Sequence, residues 1–237
     1  MKKIIRIILL LALIILALTI YFRPTKFPIF DSFNYRLGDM VLHKQGHIYL
    51  LKKIYNYYYP DSIANEYLKR VNYDKIPDYD LLHDIVKEKS QDLEKPSKKS
   101  LVIHLRVGDV IEWEYKGDID ELLEGKSDYT GSDGHLYLFD YEYFDNNLQK
   151  VKDKIEKIII VGGYHIKRNT TRSEIYINKI CDFFEKKGFE VEKRINQYTP
   201  DEDFLFMCNS SYYLKTGGGY SNLISQMVTK NNNINLI

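Results

Sequence analysis

LVIHLRVGD, residues 101–109, starts with apolar residues and ends with charged ones. A short apolar run bounded by polar residues is typical of a strand covered on both faces, so Leu101–Leu105 is predicted to be a buried strand. Burying His104, Arg106 and Asp109 in such a strand would cost free energy, unless these residues are paired or lie at the end of the strand. Ligands of open α/β sheets bind beyond the carboxyl ends of strands, where Arg106 and Asp109 fall.

The charged end of this strand has two interpretations. Arg106 offers a planar fork suited to a phosphate, and Gly108 would let the backbone approach a ligand closely. Alternatively, Arg106 and Asp109 form an ion pair that closes a turn, and His104 is a core residue with its hydrogen bonds satisfied.

The rest of the chain alternates strand patterns with helix patterns. Further strands are predicted near 157–161, 189–192, 211–214 and 234–237, and helices over 139–155, 172–187 and 220–229, with a helix start at Thr199-Pro200. The segment 117–134 is predicted to be a long acidic loop, and 30–95 has a helix-like pattern. Such alternation predicts an α/β fold, in which a parallel sheet is flanked by helices in a Rossmann-like C-terminal half.

A glycine run follows the predicted strand at 211–214. It reads KTGGGYSN at residues 215–222, with Gly217, Gly218 and Gly219 between Thr216 and Ser221. The glycines free the backbone, the hydroxyls are donors, and the N-terminus of the following helix attracts anions. The run lacks the Gly-Lys-Ser/Thr ending of a Walker A loop. A packing role for the glycines is the alternative.

The N-terminus carries a membrane signal. Residues 4–22 are almost entirely apolar and span about nineteen positions, which approaches a bilayer's width. Basic residues precede the segment, so the positive-inside rule predicts a cytoplasmic tip and a translocated body. Residues 1–26 are therefore predicted to be a transmembrane signal anchor of a single-pass type II protein, with a cleaved signal peptide as the alternative. The body would face the Golgi or endoplasmic reticulum lumen, or the extracytoplasmic side of a bacterial membrane.

Charge and cysteine content exclude several classes. Residues 27–237 carry 29 basic and 33 acidic side chains, a net charge of −4, which argues against a nucleic-acid partner. The two cysteines, Cys181 and Cys208, exclude a disulfide framework and a cysteine-rich zinc module.

Two motifs together resemble a known family. His104-x-Arg106-x-Gly108-Asp109 resembles the His-x-Arg-x-x-Asp motif of the fucosyltransferases that form α1,2 and α1,6 linkages or modify protein O-sites. The run from Asp203 through Met207 to the glycine run is similar to that family's C-terminal motif. Both motifs lie within residues 100–229. Many members carry a second arginine directly after the first, whereas this chain has Val107 at that position. The family's N-terminal glycine turn is matched only loosely, by Arg36-Leu37-Gly38-Asp39.

The resemblance implies a GT-B-like fold and inverting transfer of fucose from GDP-fucose, with no metal and no cofactor. It implies that Arg106 holds the donor β-phosphate, that His104 and Asp109 shape the donor pocket, and that Ser221 contacts the diphosphate. The predicted catalytic residues are Arg106 and Asp109. The predicted donor-binding set also includes residues of both glycine-containing segments: His104, Gly108, Thr216, Gly217, Gly218, Gly219 and Ser221. A different nucleotide sugar remains an alternative.

The acceptor, a glycan or glycoprotein, would meet residues 27–95, while 96–237 would bind the nucleotide sugar. The general base stays open between Asp109, Glu112 and Glu114, the last two also fitting solvated loop charges. Asp118-Ile119-Asp120 spells the Asp-x-Asp of metal-dependent glycosyltransferases, which is a competing hypothesis. A third is a membrane-tethered protein that binds a nucleotide or glycan without turnover.

Overall fold

The computed structural model describes residues 37–42, 61–129, 137–164 and 170–236. The predicted anchor, 1–26, lies outside these residues and stays a prediction. In the described ranges, no helix is both long and apolar enough to cross a membrane.

In the part of the chain that the structure describes, five parallel strands form one sheet in the order β3-β2-β1-β4-β5. The strands, in chain order, are β1 (Ser100–His104), β2 (Lys157–Gly162), β3 (Glu190–Ile195), β4 (Tyr212–Leu214) and β5 (Ile234–Leu236). In the centre, Val102 is paired with Ile159 on one side and with Tyr213 on the other. All five predicted strands are present, and the prediction of a parallel α/β sheet flanked by helices is confirmed.

Eight α-helices surround the sheet in the described ranges. They are α1 (Leu37–Leu42), α2 (Ile63–Arg70), α3 (Tyr79–Lys89), α4 (Ile119–Leu123), α5 (Tyr141–Gln149), α6 (Thr171–Lys186), α7 (Pro200–Cys208) and α8 (Gly219–Lys230). Short 3₁₀ turns occur at Tyr73–Lys75 and Lys152–Lys154, and one π-helical turn at Val110–Glu114. The predicted start of α7 is confirmed as a capping box between Thr199 and Glu202, with Pro200 in the first turn.

Two apolar cores lie on opposite faces of the sheet, because side chains alternate along each strand. Leu101 and Ile103 of β1 face a core shared with α4, α5, α6 and the π-turn. Val102 faces the other core, which is built from α1, α2, α3, α7 and α8. The described helices of the region 27–95 therefore cover the same sheet as the C-terminal helices.

Two of the predicted elements were wrong in extent. The acidic segment 117–134 contains α4, which Asp118 caps and which buries Ile119, Leu122 and Leu123. The helix predicted over 139–155 is limited to α5, because Val151 leaves the helical conformation (φ −137°) and turns into the core.

Candidate functional site

The strand order creates a crevice between β1 and β4. From β1 the chain proceeds to β2 and β3 on one side, and it then crosses to β4 on the other side. Connections that leave in opposite directions open a gap at the carboxyl ends of the two central strands, which is where ligands of such sheets bind. A cleft of about 450 Å³ opens there, within the range of small-molecule sites.

Arg106 lines this cleft from the end of β1. Its side chain is 15% exposed, and Nη2 lies 2.8 Å from the Asp109 carboxylate. The ion pair that the sequence offered as an alternative therefore exists, and it fixes a guanidinium that also faces the cleft. Asp109 does not line the cleft, so it acts on the site through Arg106.

The glycine run lines the same cleft just before α8. Gly218 has φ +94° and ψ 161°, a conformation essentially restricted to glycine. The first backbone N–H groups of a helix have no partner inside it, and the helix dipole there favours anions. Together with Arg106, this arrangement offers a cation and helix-start N–H groups to one anionic ligand.

Thr216 and Ser221 hold the glycine run from behind. The Thr216 hydroxyl donates to the His104 carbonyl, and the Thr216 N–H donates to Ser221 Oγ at 3.1 Å. Ser221 Oγ also lies 2.7 Å from the Tyr213 hydroxyl, and all of these groups are buried. Neither Thr216 nor Ser221 lines the cleft. The diphosphate contact implied for Ser221 stays a prediction, while its observed contacts tie the loop to β4.

Gly108 anchors the turn after β1 to α6. It has φ +80°, and its N–H donates to Ser173 Oγ at 3.1 Å. The Ser173 N–H in turn donates to Glu112 Oε1 at 2.8 Å. The interpretation of Glu112 as a solvated charge was wrong: it is 8% exposed, because its carboxylate satisfies an N–H group at the start of α6. Gly108 does not line the cleft.

His104 forms a wall of the cleft with Tyr220. The two ring centroids are 5.3 Å apart, and Tyr220 also contacts Phe204 at 5.6 Å. Burial raises the pKa of Tyr220 well above its ordinary value. Its hydroxyl donates to the Pro200 carbonyl, which links the start of α8 to the start of α7.

Gly38 brings α1 to the cleft. A Cβ at this position would lie 2.9 Å from the Tyr220 backbone nitrogen and 3.0 Å from the Gly219 carbonyl carbon. The absence of a side chain thus allows α1 to pack against the start of α8. The sequence singled out residues 36–39 only as a loose motif match, and the contact with the glycine run could not be read from it.

The sequence did not predict that residues after β3 line the cleft. Tyr198, Asn196 and Asp203 line it, and Asp203 accepts a 2.8 Å hydrogen bond from Arg194 Nε. Burial raises the pKa of Asp203, and the neighbouring Arg194 opposes that effect. The sequence signal for this part of the site was Arg194, a charged residue inside β3, because a buried charge requires a partner.

Asp118 and Asp120 have structural contacts away from the cleft. Asp118 Oδ1 accepts from the N–H groups of Asp120 (2.7 Å) and Glu121 (3.1 Å), and Asp120 is paired with Lys179 at 2.7 Å. Across the described ranges, no group of three or more His, Cys, Asp or Glu side chains is placed to hold a metal ion. In the structure, Asp118 caps α4 and Asp120 forms a surface ion pair.

Of the comparisons with known proteins, the one with solved structures found similar proteins. No protein-family model matches the chain, and no curated protein matches it. A structure of POFUT1 in complex with GDP aligns with a TM-score of 0.40 and 10% identity, over 67% of this chain and 50% of that one. POFUT1 in complex with GDP-fucose gives 0.36 and 9%, over 69% and 54%. The POFUT1 apo-form gives 0.38 and 10%, over 73% and 57%. The chain thus spans about half the length of these structures, and a likeness at this level carries no functional argument.

Proposed function

We propose that this chain is a glycosyltransferase that transfers fucose from GDP-fucose to a glycan or glycoprotein acceptor. The observation that carries the proposal is the cleft at the strand crossover, where Arg106 and the glycine run before α8 line one volume. A nucleoside diphosphate presents the anionic group that a guanidinium and a helix N-terminus bind together. The two motifs that resemble the fucosyltransferase family contribute His104, Arg106 and the three glycines to the lining of this cleft.

The reaction is an inverting displacement at the anomeric carbon. The acceptor oxygen forms a bond to C1 of fucose while the bond from C1 to the β-phosphate oxygen breaks, and GDP leaves with the bonding electron pair. Arg106 and the N–H groups at the start of α8 stabilise the charge that develops on the phosphate. This charge compensation requires no metal ion and no cofactor.

Glu114 is the proposed general base. Of the three carboxylates near the motif, Asp109 is paired with Arg106 and Glu112 caps α6. Glu114 is exposed. Burial, reinforced by the nearby Glu114 charge, raises the pKa of Tyr129 to about 12. Glu114 would take the acceptor hydroxyl proton as the new bond forms.

The fold and cellular setting complete the proposal. The parallel sheet represents the donor-binding part of a GT-B-like enzyme. Residues 1–26 anchor the chain as a single-pass type II membrane protein, which places the enzyme in the Golgi or endoplasmic reticulum lumen or outside a bacterial membrane. The support for this topology is the apolar run after the basic residues at the N-terminus.

The proposal is tested by turnover with the full chain in detergent micelles. GDP-fucose, GDP-mannose, UDP-GlcNAc and UDP-galactose are each incubated with mixed glycan and glycoprotein acceptors, with and without EDTA. We expect GDP release and sugar transfer from GDP-fucose, unaffected by EDTA and lost in Arg106→Ala. Arg70→Ala, which removes an exposed ion pair with Glu88 on the surface, serves as the matched control and retains activity.

Two outcomes would contradict the proposal. Preference for a UDP donor or dependence on Mn²⁺ would support a metal-dependent glycosyltransferase instead. GDP-fucose binding without release or transfer, across all acceptors, would support a binding protein without turnover.

A further inference from the structure

A buried arginine lies behind the β3 side of the cleft. Arg194 is 4% exposed, and its guanidinium is sandwiched between two aromatic rings. Its Cζ lies 3.4 Å from the Tyr198 ring centroid and 4.0 Å from the Phe206 centroid. Stacking on both faces compensates part of the cost of removing this cation from water.

Two carboxylates fix the guanidinium within its plane. Nε donates to Asp203 Oδ1 at 2.8 Å, and Nη1 lies 3.4 Å from Glu94 Oε2. Among the described residues, the second oxygen of Asp203 accepts no hydrogen bond. Asp203 lines the cleft, so its carboxylate lies beside the volume that a bound ligand would occupy.

Tyr198 lines the cleft beside Asp203. One face of its ring is covered by Arg194, yet the residue is 43% exposed. Its other face is therefore open for stacking. An open aromatic face next to a hydrogen-bond acceptor suits a planar base that carries N–H groups on its edge, since bases stack on aromatic side chains and carboxylates accept from base N–H groups.

We propose that Arg194 is a positioning residue that presents the Tyr198 ring and the Asp203 carboxylate together to the nucleobase end of the donor. The inference rests on the proposed function and assigns this end of the cleft to the β3 side, while Arg106 and the glycine run take the phosphates. Arg194 itself touches neither the base nor the phosphates. Its role is to orient Tyr198 by stacking and Asp203 by a hydrogen bond.

The surroundings of Asp203 predict a pH signature. Burial and the neighbouring Glu202 raise the pKa of this carboxyl, and Arg194 opposes them. Tyr220 faces it from α8, Glu94 reaches it only through Arg194, and His104 lies in the same cleft. Loss of Arg194 would raise the pKa of Asp203 further. At a given pH, a larger fraction of this carboxyl would then be protonated and unable to accept a hydrogen bond from the base.

The test uses calorimetric titration of the full chain with two probes, GDP and inorganic pyrophosphate. In Arg194→Met, Tyr198→Leu and Asp203→Asn we expect GDP affinity to fall about tenfold or more, since each disrupts contacts of the base, while pyrophosphate affinity stays unchanged. Retained pyrophosphate binding also shows that the cleft is folded. The exposed neighbour Lys193 on β3 provides the matched control, and Lys193→Met should bind both probes as the unmodified chain does.

A pH series separates positioning from a merely structural role. We expect the GDP affinity of Arg194→Met, divided by that of the unmodified chain at the same pH, to rise as the pH increases, because Asp203 without Arg194 regains its charge only at a higher pH. Asp203→Asn should show no such change. A flat profile for Arg194→Met would overturn the inference.

The remaining outcomes are also decisive. If the unmodified chain binds GDP and Tyr198→Leu binds it equally well, the inference fails while the proposed function stands. A parallel loss of GDP and pyrophosphate binding in Tyr198→Leu would likewise overturn it, since the effect would not be confined to the base. If the unmodified chain does not bind GDP, the proposed function fails and this inference fails with it.

Discussion

Gly218 carries the backbone conformation on which the glycine run depends. Its φ of +94° and ψ of 161° lie in a region that residues with a Cβ avoid at a cost of about 1–3 kcal/mol. The nearest atom to a Cβ placed there would be a Tyr137 ring carbon at 3.6 Å, which is ordinary contact. The requirement for glycine is therefore set by the backbone rather than by crowding.

Gly218→Ala should lower the free energy of unfolding by about 1–3 kcal/mol and weaken GDP binding, because the run would leave its observed conformation. Urea denaturation and calorimetry measure the two effects. Gly163→Ala is the matched control in the same cleft: its φ is not positive, and a Cβ would approach no atom closer than Asn196 Oδ1 at 3.5 Å. Equal effects of the two substitutions would contradict this account.

Single residues differed in how well the sequence predicted them. His104, Arg106 and the glycines fall at strand ends, so strand prediction alone directs them to one edge of the sheet. For Ser221, the direction of the hydroxyl depends on Tyr213 and on the Thr216 N–H, which no local pattern specifies. Arg194 has its partner Asp203 nine positions later on another element, so the ion pair could not be derived from spacing.

Among the elements, the π-turn Val110–Glu114 separates two similar carboxylates. Arg172 fixes its backbone by donating to the carbonyls of Ile111 at 3.0 Å and Tyr115 at 3.3 Å. Within this fixed turn, Glu112 points to the start of α6 and Glu114 is exposed. Their contributions to stability and to transfer should therefore differ.

Glu112→Ala should lower the free energy of unfolding by about 1–3 kcal/mol, because the Ser173 N–H loses its partner. Glu114→Ala should leave stability within about 0.5 kcal/mol of the unmodified chain. It should reduce fucose transfer by about 100-fold or more while GDP binding is retained, since the acceptor proton loses its base. Denaturant unfolding measures the stability of both variants, and an assay of fucose transfer measures their activity. Full transfer activity in Glu114→Ala would exclude it as the base.

Helix ends were predicted where side chains signal them locally. The Thr199-Pro200 start is a capping interaction within four residues, so the sequence was sufficient. The five-residue α4 was not recognised, because a run of acidic residues obscured its Asp118 cap and its short apolar face. Its stability comes from burial of Leu122 and Leu123 in the core that it shares with α6, which is a tertiary effect.

At the scale of the whole molecule, the sheet is covered on both faces, and one cover comes from the region 27–95. Helices α2 and α3 bury Leu68, Leu82 and Ile85 in the core that Val102 faces. Alternating patterns predicted the parallel sheet. They could not predict which face these amphipathic helices cover, because an apolar stripe specifies burial but not its partner.

A chain truncated to residues 96–237 should therefore lose cooperative unfolding and bind a hydrophobic dye, because the α7 and α8 side of the sheet would lose part of its cover. Circular dichroism melting and dye fluorescence, compared with the full chain, measure this. A cooperative melt of the truncated chain without dye binding would show instead that 96–237 folds independently, as the predicted domain boundary implies.

Arg106 and the glycine run are proposed to bind the diphosphate of a guanine nucleotide donor, and the function proposed for the whole molecule depends on this contact. The most direct measurement is calorimetric titration of the full chain with GDP in the presence of EDTA, alongside Arg106→Ala and the surface control Arg70→Ala. We expect binding by the unmodified chain and by Arg70→Ala, and a loss of about tenfold or more in affinity for Arg106→Ala. Equal GDP affinity in Arg106→Ala and Arg70→Ala would contradict it.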